Sequence, residues 1–440
     1  MRLPSAITNR RLYAPILLLF MSAVSGMTAW TQTFQVIHYF SPQGYNPADG
    51  LTVDSAGNLY GTTASGGSLS GQCAAYPGCG TVFRLTLHNS SWTYASLYNF
   101  QWGSDGAYPL AAPVFGPDGN LYGTTYNGGG SMYCQNLGCG TVYKLRPPPT
   151  VCRSVSCYWF EEVIYAFAVQ TEYDGQSPDA RVTFDPAGNL YGTTHLGGDI
   201  QLGGTNDGTI YELTPLQGSW TETILHTFQG YPIDIGEPSS GVILDASGNV
   251  YGTGGGLDCG LHQTCGAVYQ LSPRQGEWDY QFIHEFSQPG DGNAPAGAPI
   301  WDAAGNMYGS TAEGNIDGDN GPVIWKLSPT STGWTETILY TWPLGAAGGN
   351  GSLTMDAYGN LYGVQASYGN GNGSVFKLTN NNGVWVYSTL HQFSGEDGSY
   401  PNGSPVVDSN GNVFGTTTYG GMVAPQCPQG CGVVFKISQQ

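Results

Sequence analysis

Seven near-copies of one heptapeptide constrain this chain more than any other feature. GNLYGTT stands at 57–63, 119–125 and 188–194, and degenerate forms follow as GNVYGTG from Gly248, GNMYGST from Gly305, GNLYGVQ from Gly359 and GNVFGTT from Gly411. Their aromatic residues, Tyr60, Tyr122, Tyr191, Tyr251, Tyr308, Tyr362 and Phe414, are 62, 69, 60, 57, 54 and 52 residues apart. A period of that size marks one supersecondary unit repeated in an array, and it must be settled before domains are counted.

Each unit carries four short runs with strand character. Run A ends at an aspartate, as in LTVD (51–54) or GVILD (241–245), and a D-x-x-G-N turn leads into run B, the LYGTT segment. A variable Gly-rich loop leads to run C, such as TVFRL from Thr81, TIYEL from Thr209 or VVFKI from Val433. Run D follows after a short polar link, as WTYASLYNF from Trp92 or WTETILHTF from Trp220. Four consecutive short strands form a meander, the blade of a β-propeller. In the turn, the Asp can bond the backbone and the Gly can take positive φ. Six units keep that Asp, and the second has Gly116 instead.

The two ends are offset. The first run is an unpartnered run D, FQVIHYF (34–40), and the seventh unit stops after run C. The N-terminal run can supply the missing outer strand, which removes the open join between first and last blades. A solenoid would need caps instead. The expected fold is therefore all-β: a seven-bladed β-propeller of four-stranded antiparallel blades, closed by the N-terminal strand joining the last blade, as one domain over 30–440.

Composition agrees. Among 440 residues there are 68 Gly, 13% aromatics and only 10% charged residues, a profile opposite to that of disordered chains. The net charge is -19, from 31 acidic and 12 basic residues. Residues 1–29 read as a secretory signal: Arg2, Arg10 and Arg11 precede an apolar run from Tyr13 to Ala23, with small residues at Ala23, Ser25 and Ala29 for cleavage. Removing those three arginines leaves 31 acidic against 9 basic residues, a field that repels phosphate backbones and makes nucleic acid an unsuitable partner. No membrane insertion is expected after the signal is removed, and the expected location is secreted, periplasmic or cell-surface. All ten cysteines fall in close pairs, Cys73 with Cys79, Cys134 with Cys139, Cys152 with Cys157, Cys259 with Cys265 and Cys427 with Cys431. In an exported chain this reads as disulfides; zinc is the competitor, but thiolate sites favour two-residue spacers and a second pair nearby.

The pattern D-x-x-G-N-L-Y-G-T-T, then G-G, G-T-V-F-K-L, W-T and a terminal F resembles the GloVer tandem repeat family of exported bacterial proteins, over essentially the whole mature chain. The resemblance implies export and the repeat array. It brings no catalytic residues, and the chain departs from anchored members in ending at its last repeat.

Antiparallel strands put the A–B and C–D links at one end of each blade and the B–C and D–A links at the other. The B–C and D–A loops vary most between units and hold four of the five cysteine pairs, so that face is the expected working face. Its D–A loops repeat D-G-x-x-P at Asp105, Asp174, Asp291 and Asp397, whose carboxylates can meet a cation or sugar hydroxyls, or merely cap an Asx turn. His195 and Asp199, in a loop with Asp207, are further binding candidates. His38, His226, His284 and His391 share one slot in run D with Tyr98, Tyr165 and Tyr340, which favours packing with a polar tip. The loop NIDGDNG places Asn315, Asp317 and Asp319 at alternate positions, a weak calcium candidate without the Gly and Glu of an EF-hand. No cofactor is expected otherwise. The sequence contains no G-x-S-x-G and no H-E-x-x-H. The expected function is a non-enzymatic module that binds a glycan, small molecule or protein at the B–C/D–A face. The alternatives are a carbohydrate-active hydrolase or lyase with carboxylates at the channel mouth, and a structural cell-surface module.

Overall fold

The computed structural model describes residues 32–75, 77–131, 134, 136–149, 158–167, 174–198, 206–230, 234–236, 238, 240–258, 264–314, 320–365 and 371–438. The signal segment, Cys152, Cys157, Asp199, Cys259, Asn315, Asp317 and Asp319 lie outside them. Among the described residues the only helix is a 3-10 turn over Gly71–Ala74, and no helix is long and apolar enough to cross a membrane.

Seven four-stranded antiparallel sheets form the blades. Blade one runs outward through Thr52–Val53, Leu59–Thr63, Thr81–His88 and Ser91–Asn99. Blades two to six start at Val114–Phe115, Thr183–Phe184, Ile243–Leu244, Asn293–Trp301 and Thr354–Met355. The seventh takes three strands from the C-terminal repeat, Ser399–Val407, Val413–Tyr419 and Val433–Ser438, and its outer strand from the N-terminal Thr33–Tyr39. That outer pair runs in register from Thr33 opposite Ser438 to Tyr39 opposite Val433, as the offset of the repeats requires.

The core is distributed. Each of seven apolar clusters sits at one seam between neighbouring blades, so no blade buries its faces alone. The cluster of Phe40, Tyr45, Leu51, Phe83, Phe414 and Val434 joins blade seven to blade one and seals the ring.

Every letter of the repeat has a task. The aspartate of D-x-x-G-N-L-Y organises the turn: Asp54 Oδ1 accepts the backbone N–H groups of Ala56 and Asn58, and Oδ2 accepts Asn58 Nδ2 and the Tyr60 hydroxyl. Asp245, Asp302 and Asp356 repeat all four bonds. In the second unit Asp118 takes over from Gly116, receiving Asn120 and the Tyr122 hydroxyl. Gly57 bends the turn at φ +80°, where a side chain would be strained.

The glycine inside run B makes room for an aromatic ring of its own blade. Gly61 is the direct cross-strand partner of Phe83, and a Cβ on it would lie 2.6 Å from that ring. Tyr143, Tyr211, Tyr269, Trp325, Phe376 and Phe435 occupy the same place in the other blades. The first threonine of GTT ties neighbours together. Thr62 donates to Ala111 O, Thr124 to Ala180 O, Thr193 to Ser240 O and Thr253 to Gly297 O, and Thr416 donates to Asp49 O across the closure.

The proline of each D–A loop packs on the glycine before run C of the preceding blade. Pro109 lies against Gly80, Pro178 against Gly140, Pro295 against Gly266, and Pro47 closes the ring on Gly432. Between blades five and six the two are exchanged: Pro322 stands where the glycine belongs, and Gly348 faces it.

Candidate functional site

The D–A and B–C loops share one end, as antiparallel blades require. Short ladders join them directly: Gly44–Tyr45 with Ser65–Gly66, Gly106–Ala107 with Asn127–Gly128, and Gly175–Gln176 with Leu196–Gly197. The disulfides Cys73–Cys79, Cys134–Cys139 and Cys427–Cys431 are formed in B–C loops, and Cys265 is disulfide-bonded.

The D-G-x-x-P aspartates point into the seams. Asp105 accepts the Tyr98 hydroxyl at 3.1 Å together with Gln101 N and Gly106 N. Asp174 accepts the Tyr165 hydroxyl, and Asp397 Oδ2 lies 2.8 Å from His391 Nε2. Asp234, outside the motif, meets His226 Nε2 at 2.6 Å in the same way. In these four units the run D slot therefore carries a polar tip that reaches a D–A loop carboxylate. Its flat face meets a residue of the next blade: His38 stacks on Tyr94, His226 on Tyr280, Tyr340 on Tyr387 and His391 on Phe34. At the other three seams a glutamate replaces that aromatic partner: Glu161, Glu222 or Glu336.

These glutamates crowd a second carboxylate. Burial, with the charge of Asp105 added, pushes Glu161 up to about 8; burial and Asp174 do the same to Glu222. The hydrogen count agrees at the second site. The Tyr165 hydroxyl lies 2.9 Å from Asp174 Oδ2 and 2.6 Å from Glu222 Oε2, and its one hydrogen can serve only one of them. The other carboxyl must carry a proton. A carboxyl with a raised folded pKa holds its proton where the unfolded chain has lost it, so its share of stability declines as pH rises from the unfolded value near ~4.3 through about 8. Replacing both Glu161 and Glu222 by Gln is expected to raise the melting temperature at pH 8.5 relative to the parent and to leave the two equal or reversed at pH 4. An equal effect at both pH values in calorimetric melts would contradict the assignment.

The channel mouth is built differently. A cavity of about 650 Å³ lies on the propeller axis, lined by the residues entering the innermost strands. Five positions before each turn aspartate, or before Gly116 in the second unit, stand Asp49, Ala111, Ala180, Ser240, Gly297, Gly351 and Gly403, and all seven line the cavity. One position later stand Gly50, Ala112, Arg181, Gly241, Ala298, Ser352 and Ser404. Small residues let seven chains converge on one axis; Asp49 and Arg181 are the charged exceptions.

They find each other. Arg181 of blade three reaches past blade two, placing Nε 2.6 Å from Asp49 Oδ2 of blade one. Ala112 N, from the blade between, donates to the same oxygen at 2.8 Å, and Gly50 N donates to Oδ1. Burial alone would raise the Asp49 carboxyl, but Arg181 and the two backbone N–H groups outweigh it and hold it below the usual carboxylate range. Asp179 also lines the cavity, and burial raises its carboxyl, partly offset by His195, whose Nδ1 is 3.8 Å from Asp179 Oδ2. Two carboxyls of one mouth are thus pushed in opposite directions.

Of the sequence candidates, His195 is joined to this mouth through Asp179, whereas Asp105, Asp174, Asp291 and Asp397 are seam residues that do not line the cavity. Sequence reading missed Asp49, Asp179 and Arg181. The signal that finds them is charge at loop positions where the other repeats carry small or uncharged residues. A second depression of about 400 Å³, at the A–B end, is lined by Tyr251, Trp301 and Trp334. The same aromatic grouping recurs as Tyr60, Phe115 and Trp159, and as Tyr122, Phe184 and Trp220, which makes it seam packing.

Solved structures with a similar fold include an ulvan lyase of polysaccharide lyase family PL25 bound to a -[GlcA(1-4)Rha3S]- unit, at 10% identity and TM-score 0.53 over 91% of this chain and 95% of that one. The polysaccharide lyase Uly1 aligns at 11% identity and TM-score 0.51 over 91% and 94%, and a fungal alcohol oxidase of the AA5 family in complex with copper at 11% identity and TM-score 0.53 over 93% and 76%. At these identities the likeness is one of fold. No curated protein sequence matches the chain. The repeat does place it: the model of the Gloeobacter/Verrucomicrobia repeat matches residues 21–259 and again 255–440, and the chain belongs to that family.

Proposed function

We propose that the protein is an exported binding propeller whose ligand site is the channel mouth of Asp49, Asp179 and Arg181, with His195 supporting Asp179. The observation that carries this reading is the convergence of the repeat-breaking charges in one cavity. Selection for the ring alone would favour small residues there, as in the other repeats. A volume of about 650 Å³ is within the range of small-molecule sites. The site offers one guanidinium and two carboxyls, with Arg181 and Asp49 already paired to each other. That chemistry suits a polyhydroxylated ligand of mono- or disaccharide size better than a strongly charged one. The test is an oligosaccharide array probed with the mature protein, followed by calorimetry on any ligand found. Asp179→Asn and Arg181→Gln are each expected to weaken binding at least about tenfold, the scale of one lost charge-assisted hydrogen bond. Wild-type affinity in both variants would refute the site.

A second reading, a carbohydrate-active enzyme, is favoured by the opposed shifts of the two carboxyls. An Asp179 carboxyl raised by burial beside an Asp49 carboxyl lowered by Arg181 is a separation in the sense required of a general acid and a charge stabiliser. The related propellers named as polysaccharide lyases show that this scaffold supports sugar chemistry elsewhere. Turnover of an oligosaccharide that Asp179→Asn abolishes without loss of binding would select this reading over the first.

A further inference from the structure

The seam between blades four and five differs from the other six. Its run D slot holds His284, its D–A loop holds Asp291, and the next blade offers Glu336. Histidine meets glutamate at no other seam: elsewhere the slot and its neighbour are His with Tyr, His with Phe, Tyr with Tyr or Tyr with Glu. In those other combinations the slot residue stacks on its neighbour or hydrogen-bonds the loop aspartate, and of the slot, loop and facing residues only the facing one is left with an unpaired buried atom, at Glu161 Oε1, Glu222 Oε1 and the Tyr280 hydroxyl. Here the polar atoms are brought together and left unpaired. His284 Nε2 is 3.4 Å from Glu336 Oε1 and 4.0 Å from Asp291 Oδ2, without hydrogen-bond geometry. His284 Nε2, Asp291 Oδ1 and Glu336 Oε1 are all buried and lack any hydrogen-bond partner, and the Asp291 side chain is only 4% exposed. Leaving three such atoms unmet is costly, and native structures rarely do it without a reason.

We propose that this seam is a binding site for one divalent first-row transition ion, held by His284 Nε2, Asp291 and Glu336. One donor atom from each residue lies within 4.8 Å of the other two. An ion bonded at about 2.0–2.2 Å to nitrogen and oxygen needs ligand atoms somewhat over 3 Å apart, which the His284–Glu336 separation already meets. Two carboxylates and a neutral imidazole give a charge of minus two, which a divalent ion cancels. The imidazole argues against calcium and magnesium, which take oxygen ligands, and for zinc or its neighbours. The three ligands come from two blades, so the bound ion ties blade four to blade five. This site is separate from the channel mouth and does not depend on the ligand proposed there.

The test uses the mature protein after chelator treatment, titrated with zinc chloride by calorimetry and followed by thermal melting. One equivalent is expected to bind and to raise the melting temperature. Two variants copy seams already present in the molecule. Glu336→Tyr reproduces the His226–Tyr280 seam, and His284→Tyr reproduces the Tyr165–Glu222 seam, so both are expected to fold. Each is expected to lose at least a hundredfold in zinc affinity and all of the thermal shift, while Glu222→Gln at the glutamate seam of blades two and three binds as the parent does. Absence of a one-to-one binding event in the parent, or binding that survives both variants, overturns the proposal.

Discussion

A chain beginning at residue 41, without the strand Thr33–Tyr39 and without Phe40, is expected to aggregate or to melt at least about 5 °C below the parent. The strand completes the seventh blade along Val433–Ser438. Phe40 is 1% exposed and packs edge-on against Phe83 of blade one, while Phe34 stacks on His391 of blade six and lies near Phe435. The one segment therefore holds two seams. At ~1.5–3 kcal/mol for a fully buried large apolar side chain, Phe40 with the partly buried Phe34 contributes ~2–5 kcal/mol, a substantial part of the ~5–15 kcal/mol by which native domains are stable. For a domain of this size each kcal/mol is worth ~1–2 °C. Deletion also bares the edge of Val433–Ser438 and so adds an aggregation hazard. Near-ultraviolet dichroism melts and size-exclusion chromatography decide the matter, and a deletion variant that is monomeric and melts within 2 °C of the parent, far less than the ~5 °C expected, contradicts the closure.

Gly309→Ala is expected to cost about 3 kcal/mol, the upper part of the range for overpacking a core. The glycine faces Trp325 across the strand pair, and the new Cβ would fall 2.2 Å from the indole. Trp325 is 1% exposed and boxed in by Phe286, so the ring has no vacant direction to move. Strain of this kind is relieved when the ring is shortened. The double variant with Trp325→Val should therefore be more stable than the sum of the single losses by at least ~1.5 kcal/mol in denaturant unfolding. Additivity within ~0.5 kcal/mol would show that the glycine serves another purpose.

Much of this architecture is legible in the sequence because the repeat repeats its physics. The D-x-x-G-N turn, the four runs and the offset ends each imply a local pairing, and the pairings close only as a seven-membered ring. The in-strand glycine is legible as space, but its tenant is not: Gly61 stands directly opposite Phe83, and that register follows from a loop whose length varies between units. The same difficulty hides the exchanged pair Pro322 and Gly348, which looks like two defects until the blades are set side by side.

The channel mouth was hidden for the opposite reason. Asp49, Asp179 and Arg181 belong to no motif, and a search for recurring residues passes over what occurs once. Arg181 and Asp49 are 132 positions apart, and only the curvature of the ring brings them to 2.6 Å. Histidines and D-G-x-x-P aspartates recur, attract attention, and are spent on joining blades. In a repeat protein the departures from the pattern carry the individual chemistry.

The most direct measurement is a crystal of the mature protein soaked with the tightest-binding oligosaccharide from the array. The account predicts sugar density in the axial cavity, with hydroxyls in hydrogen-bond reach of Asp179 and Arg181. Density confined to the A–B end or to the outer strands, with the axial cavity holding only solvent, would contradict it.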